Sequence, residues 1–372
     1  MNFIDLHSQY NEIKEEIQSS ILKVLEHGAY IMGPEVAELE SALAKFAGTK
    51  YALSCASGTD ALLMPLMAWD IKPGDAVFTS PFTFIATAEV VQLLGATSVF
   101  VDINPQTYNI DTDKLIESIE KVKADGKLTP KAIIPVDLFG LCADYDKIEK
   151  IASDYGLLVL EDAAQSFGAE YNGRKAGSFG HCAATSFYPA KPLGCYGDGG
   201  AIFTDDDELY NILTSIRVHG QGEDKYNNVR IGINGRLDTL QAAILLAKLK
   251  LFESEIQKRN RAASLYNELL GDTLVTPSIP DDSISVWAQY SVLARNSEHR
   301  THIMSHLKTF NIPSVIYYPK PLHLQTAFEN LNYRIGDFPV TEDIASRIFS
   351  LPMHPYLKDE EIIEICKTVK SA

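Results

Sequence analysis

The sequence predicts an α/β protein: a mostly parallel sheet covered on both faces by helices, followed by a smaller α+β domain. Between Tyr51 and Thr204, short aliphatic and β-branched runs alternate with helical patterns. Those runs are apolar throughout rather than every second residue, as strands buried on both faces are. With 372 residues, 46% of them hydrophobic, the chain can bury a large core and is more readily two domains than one.

Taken in order, "YALSCA" reads as a strand and "TDALLMPLMAW" as its helix; "AVFTSP" is followed by the helical "FIATAEVVQLLG". "SVFVDI", "AIIPVDLFG", "LLVLEDAA" and "GAIFT" supply further strands, and "DDDEL" reads as a solvated helix start. The one polar stretch, "KVKADGKLTPK", reads as a loop. From "LDTLQAAILLAKLK" the pattern becomes a long helix. "WAQYSVLA", a helix near Glu298–Thr309, "SVIYYP" and a final helix near Asp359–Val369 then make the smaller domain. The expected division is residues 1–248 for an N-terminal arm and large domain, and 249–372 for the small one.

Composition excludes several classes. No apolar run approaches the roughly 18 residues of a membrane span, and the polar "MNFIDLHSQYNEIKEE" is no signal peptide, so a soluble cytoplasmic protein is expected. Cys55, Cys142, Cys182, Cys195 and Cys366 are scattered and lack C-x-x-C spacing; they read as reduced thiols, with no disulfide and no metal site. His302 and His306 stand four apart, but "HRTHIMSHLKTF" lacks the glutamate of H-E-x-x-H and reads as an exposed helix face. A net charge of −16 repels polyanions, which speaks against nucleic acid; a small anionic substrate would need a local basic pocket.

The chemistry concentrates in "ATSFYPAKPLGCYGDGGAIFT". Pro189 and Pro192 bias Tyr188 and Lys191 towards extended backbone, so Lys191 is held by a stiff turn rather than carried on a helix. Four glycines in the seven residues Gly194–Gly200 allow close backbone approach. "LLVLEDAAQSFGA" ends a buried-looking strand on Glu161 and Asp162, where ligands of α/β sheets sit, and Gln165 follows three residues later; Asp162 could equally cap a helix. In "SCASGTDALL", Ser57, Gly58 and Thr59 occupy a strand-to-helix turn suited to a phosphate, or to an ordinary N-cap. Phe82 and Phe84 belong to the core or stack on a flat ring, and His219 either touches a substrate phosphate or is a loop residue. A phosphate cradle, a stacking aromatic, a strand-end Asp, the Ser186 hydroxyl and a constrained lysine are together what pyridoxal 5′-phosphate requires. Lys191 would form its Schiff base and Asp162 would keep its pyridine nitrogen protonated. "GCYGDGG" does not open a helix after a first strand, so a nicotinamide-dependent dehydrogenase or epimerase finds no support.

Nearly end to end, through "FIDL", "GPEVAELE", "SGTDAL", "EDAAQSFGA", "TSFYPAKPLGCYGDGGA", "RVHGQ", "NGRLDTLQAAIL" and "LPMHPYL", the chain resembles the DegT/DnrJ/EryC1/StrS nucleotide-sugar aminotransferases. The resemblance implies the aspartate aminotransferase-like fold (type I), with a seven-stranded large-domain sheet. It places the Schiff-base lysine at Lys191, the pyridinium partner at Asp162, the ring-hydroxyl contact at Gln165, phosphate binders at Gly58, Thr59 and Ser186, and the stacking ring at Phe84. Asn234 resembles an asparagine that reaches the phosphate of the neighbouring subunit, which implies a homodimer with shared sites. Relatives that aminate C3 of UDP-2-acetamido-2-deoxy-3-oxo-glucuronate, with glutamate as donor and 2-oxoglutarate as by-product, imply a substrate-carboxylate contact at Arg236 and a role in O-antigen or other surface polysaccharide biosynthesis; Tyr317, Tyr318 and His219 are the further candidate substrate contacts. Those relatives carry His-Tyr-Pro where this chain has Tyr317-Tyr318-Pro319, so a 3-keto or 4-keto 6-deoxy sugar on dTDP or UDP is the alternative substrate. Relatives that dehydrate deoxysugars have histidine at the position of Lys191, which speaks against dehydration, and a complete cofactor set speaks against a non-catalytic sensor.

Overall fold

The structure, a computed structural model, describes residues 1–372 except Lys225. Its strands are β1 (Tyr51–Cys55), β2 (Asp75–Thr79), β3 (Thr97–Phe100), β4 (Thr129–Ile134), β5 (Leu158–Asp162), β6 (Glu170–Tyr171), β7 (Arg174–Lys175), β8 (Cys182–Ser186), β9 (Gly200–Thr204), β10 (Ser283–Ile284), β11 (Tyr290–Leu293) and β12 (Ile348–Leu351). Seven of them form one sheet in the order β1-β9-β8-β5-β4-β2-β3. The pairings among β3, β2, β4, β5 and β8 are parallel, and β9 runs antiparallel to both β8 and β1. One reversed strand in seven is the mostly parallel sheet that the apolar runs predict.

Continuous apolar runs arise because both faces are covered. Along β2, Ala76 and Phe78 enter a core with Leu39, Leu43, Phe167, Phe203 and Phe252, whereas Val77 enters the opposite core with Leu62, Met64, Val90 and Leu213. The helix Thr239–Leu270 serves two cores: Leu245 and Phe252 pack under the sheet, while Tyr266 and Leu270 join Tyr290, Ile303, Phe349 and Ile365 around the β11/β12 pair. Among the described residues no helix is long and apolar enough to cross a membrane.

One expectation is corrected. "KVKADGKLTPK" is not a loop: Lys121–Asp125 complete the helix Thr112–Asp125, and Thr129–Lys131 open β4. Leu115 and Ile119 give that helix a buried stripe, and Gly126 closes it at φ 65° by donating its N–H to the Val122 carbonyl; polarity on the outer face disguised it. In "SVIYYP" only Val315 exchanges hydrogen bonds with Ser350, and the flanking Pro313 and Pro319 have no N–H to extend a ladder.

Phe252 is fully buried, its ring stacked 5.9 Å from Phe167 and tilted 5.5 Å from Phe46. Phe252→Ala should cost about 3–5 kcal/mol in urea unfolding of the large core; a loss below about 1 kcal/mol would show that the stack is not what joins helix to sheet.

Candidate functional site

Strands β8 and β9 pair from Ala183↔Phe203 to Ser186↔Gly200, and the excursion between them carries Lys191. Backbone bonds close it: Phe187 donates to Gly199 (2.7 Å), Lys191 to Tyr188 (2.8 Å) and Cys195 to Phe187 (2.8 Å). Gly194 is required, since a Cβ there would stand 2.6 Å from the carbonyl oxygens of Tyr188 and Pro189. The stiff turn read from the two prolines is therefore present, and it delivers Lys191 to the carboxyl end of the parallel strands.

Asp162, the last residue of β5, meets it there. Its carboxylate accepts the Thr87 hydroxyl at 2.7 Å and the Ala164 N–H at 3.2 Å, which makes a local turn and not a helix cap. Burial raises the pKa of Asp162, opposed by Thr87, Ala164 and the charge of Lys191. Lys191 is partly exposed as a residue but its ammonium is enclosed; burial lowers its pKa and Asp162 opposes the shift. Desolvation thus biases both towards neutrality, which makes the lysine a more available nucleophile and proton carrier than a surface lysine.

Glu161 faces the other way, as alternation along a strand demands. It accepts the N–H groups of Gly177 (2.8 Å) and Phe179 (2.9 Å) and lies beside Asp137, which takes Ala143 N–H, Tyr145 O–H and Ser166 O–H. Burial and the neighbouring carboxylate push Glu161 well above the carboxylate range, and burial pushes Asp137 up to about 6. This pair braces the segment behind Asp162 and is not part of the open site.

Below the lysine turn, Ser57 caps the helix Gly58–Ala68 by accepting the Asp60 N–H at 3.0 Å. The N–H groups of Gly58 and Thr59 have no acceptor among the described residues, so the cap and the anion turn coexist. A Cβ on Gly58 would lie 2.6 Å from Cβ of Ser186, which puts the Ser186 hydroxyl beside this helix start.

Gln165 is oriented from both ends: Oε1 accepts Phe139 N–H (2.9 Å) and Nε2 donates to Tyr318 Oη (3.1 Å), leaving one amide hydrogen for an acceptor. Tyr317 and Tyr318 stand together, rings 5.7 Å apart, with Tyr188 of the lysine turn in electrostatic reach of Tyr317. Phe82 is buried core, whereas the Phe84 ring is 55% exposed one turn before Thr87. Thr87 is the residue sequence reading missed; its place three residues after Phe84, in the first turn of a helix, was the available signal.

Asn234, Arg236 and His219 form a second group. His219 N–H reaches the Ile233 carbonyl, and Gly235 accepts the Ala56 N–H at 3.0 Å, so this loop borders the Ser57–Gly58 turn. Asn234 and His219 are exposed, and among the described residues no side-chain hydrogen bond ties the three to Lys191 or Asp162. Arg236 Nε is buried without a partner. His302 and His306 bond to Ala372 and Ser371 at the C-terminus, and the described residues contain no cluster that could hold a metal. The cavity of about 690 Å³ lined by Lys50, Trp69, His181 and Glu208 contains none of these site residues.

The sequence pattern of the DegT/DnrJ/EryC1/StrS aminotransferase family matches residues 11–370. Over 369 residues, 98% of each chain, the sequence is 49% identical to UDP-2-acetamido-2-deoxy-3-oxo-D-glucuronate aminotransferase of Pseudomonas aeruginosa. Among solved structures it is similar to a DegT/DnrJ/EryC1/StrS aminotransferase from Brucella abortus (TM-score 0.97, 52% identity, 100% and 99% of the two chains). It is likewise similar to DesV of Streptomyces venezuelae in complex with a ketimine intermediate (TM-score 0.94, 34% identity, 100% and 97%).

The Thr87–Asp162 bond generates a test that needs no substrate. Thr87→Val removes an interaction that lowers the Asp162 pKa, so Asp162 should take its proton at a higher pH. The protonated carboxyl stretch in infrared spectra, assigned by its loss in Asp162→Asn, reads this; an unmoved titration would show that Thr87 does not tune the charge.

Proposed function

The chain belongs to the DegT/DnrJ/EryC1/StrS aminotransferase family, and we propose that it uses pyridoxal 5′-phosphate to move an amino group from glutamate to a UDP-linked 2-acetamido-3-keto-hexuronate. The observation that carries this reading is the meeting of a desolvated lysine, a buried carboxylate and unclaimed helix-start N–H groups at one end of the sheet. Those features fit the cofactor. Gly58 and Thr59 N–H with the Ser186 hydroxyl would take its phosphate, Asp162 its pyridine nitrogen, the spare Gln165 amide hydrogen its ring oxygen, and the exposed Phe84 ring its face. When bound, the cofactor supplies an electron sink that stabilises negative charge on the carbon losing its proton.

The protein's own residues then have defined tasks. Lys191 would hold the cofactor and, once freed of it, would carry the proton at the substrate carbon through Nζ. Asp162 would keep a proton on the ring nitrogen, that positive charge offsetting the burial that disfavours its carboxylate; Thr87 fixes the direction of the carboxylate. Glutamate leaves as 2-oxoglutarate, and the ketone carbon of the sugar gains the amino group and a hydrogen.

Arg236 supports the uronate: its Nε is buried and unpaired, and a guanidinium offers two parallel donors that match a carboxylate. An assembly of two copies is supported by exposed apolar side chains that adjoin the Asn234 loop. Ile231 is 85% exposed, Val229, Leu22, Leu25, Tyr30, Ile31 and Met32 are exposed, and Ile31 pairs with Asp238 just past Arg236. On this reading Asn234 and His219 face a second subunit, and the enzyme works in the cytoplasm, where nucleotide sugars are made.

Two measurements test the proposal. Lys191→Ala should bind pyridoxal phosphate without forming the visible chromophore and should not turn over; a yellow, active mutant would overturn the assignment. Arg236→Lys should raise KM for the 3-keto uronate about tenfold or more while barely moving it for a 6-deoxy 3-keto analogue. A wild type that prefers the 6-deoxy sugar would leave the aminotransferase standing and remove the uronate.

A further inference from the structure

Lys248 is almost completely buried in the first third of the helix Thr239–Leu270. No carboxylate pairs with it among the described residues. Its Nζ donates to the Gly194 carbonyl at 2.6 Å and lies 4.2 Å from the centre of the Tyr196 ring. Burial draws its pKa down to about 8 against the pull of Glu255 and Cys195, and Glu255 is itself taken by Gln9 and Tyr356. Removing an ammonium from water without an ion partner costs several kcal/mol, so such a group persists where it holds something.

What it holds is the turn that carries Lys191. Gly194 closes that turn against Tyr188 and Pro189. Seven residues earlier on the same helix face, Gln241 Oε1 accepts the Tyr196 N–H at 2.8 Å. The helix thus grips the excursion at two adjoining points, one a charge-assisted bond to a carbonyl and one a neutral bond to an N–H.

We propose that Lys248 is a positioning residue for the reaction, its ammonium clamping the Gly194 carbonyl so that the Lys191 turn holds the nucleophilic amine in place opposite Asp162. This rests on Lys191 being the reactive lysine, and the test is chosen to be read without cofactor or substrate. Hydrogen exchange is followed on the full-length, cofactor-free protein and on Lys248→Met, Lys248→Gln and Lys248→Arg. In Lys248→Met the Lys191 and Cys195 amides should exchange about tenfold faster, with β5 and β8 unchanged, and Arg should restore protection. In the loaded enzyme the same Met variant should lose kcat with KM little changed. If Lys248→Met does not fold, Lys248→Gln, which keeps a donor but drops the charge, should still show several-fold faster exchange at Lys191. Wild-type exchange in this turn, in a folded Met or Gln variant, overturns the clamp. Failure of the reading of Lys191 itself would show separately, as a yellow and active Lys191→Ala.

Discussion

The pairing of Ser186 with Gly200 is the constraint on which the carboxyl edge of this sheet depends. It fixes where β8 ends and β9 begins, and so defines both stems of the excursion that presents Lys191. It is possible only because glycine stands at two crossings. A Cβ at Gly200 would lie 2.4 Å from the Ser57 carbonyl oxygen, and one at Gly58 would strike Ser186. Two absent side chains let β1, β8 and β9 converge, and the anion turn and the lysine turn are brought side by side by the same backbone packing.

Electrostatics at this edge are organised by layers. On the open face Asp162 and Lys191 oppose each other's desolvation, each held partly towards neutrality by burial. On the closed face Glu161 and Asp137 share one polar pocket with five donors from the protein, so that a proton between them is cheaper than two buried charges. Strand alternation is what separates the layers: adjacent residues of β5 serve opposite sides, Asp162 towards Lys191 and Thr87 and Glu161 towards Gly177 and Phe179. The peptide between them is therefore held by the closed-face network while Asp162 remains free to answer to a ligand.

Much of this was legible in the sequence, for identifiable reasons. Apolar runs reported the sheet because both its faces are buried, and the two prolines reported the stiff turn because proline restricts backbone regardless of context, while Gly194 is the residue that lets the turn close without a clash. That Lys191, Asp162, Gly58 and Ser186 gather at one edge of the sheet was foreseeable because each stands at the end of a strand or at a turn the sequence marks. Thr87, Lys248 and the Glu161–Asp137 pair were not legible, since each acts through a contact made across the fold: Thr87 to Asp162 over 75 positions, Lys248 to Gly194 over 54. The helix within "KVKADGKLTPK" was hidden because its outer face is charged while its inner face spends only a few residues on the core. Residues 219–236 lie between the two: the motif was visible, but Asn234 is exposed and Arg236 Nε has no partner among the described residues, so their part in the site rests on the proposed reading.

A chain of net charge −16 has to bind molecules that carry phosphates and, on the proposed reading, a carboxylate. Its general field repels them, so attraction has to be local. The donors at the helix start are neutral backbone N–H groups, which do not titrate and need no counter-ion; they leave the ammonium of Lys191 free for chemistry instead of tying it to a phosphate. On the proposed reading Arg236, buried and unpaired at Nε, is the fixed cation of the site, and it stands one residue beyond the Gly235 contact to Ala56 at the same turn. Recognition built this way acts over a few ångströms, within a Debye length at physiological salt, and so discriminates by fit rather than by long-range steering. That is the arrangement an acidic protein needs if it is to select one anion among the many in its surroundings.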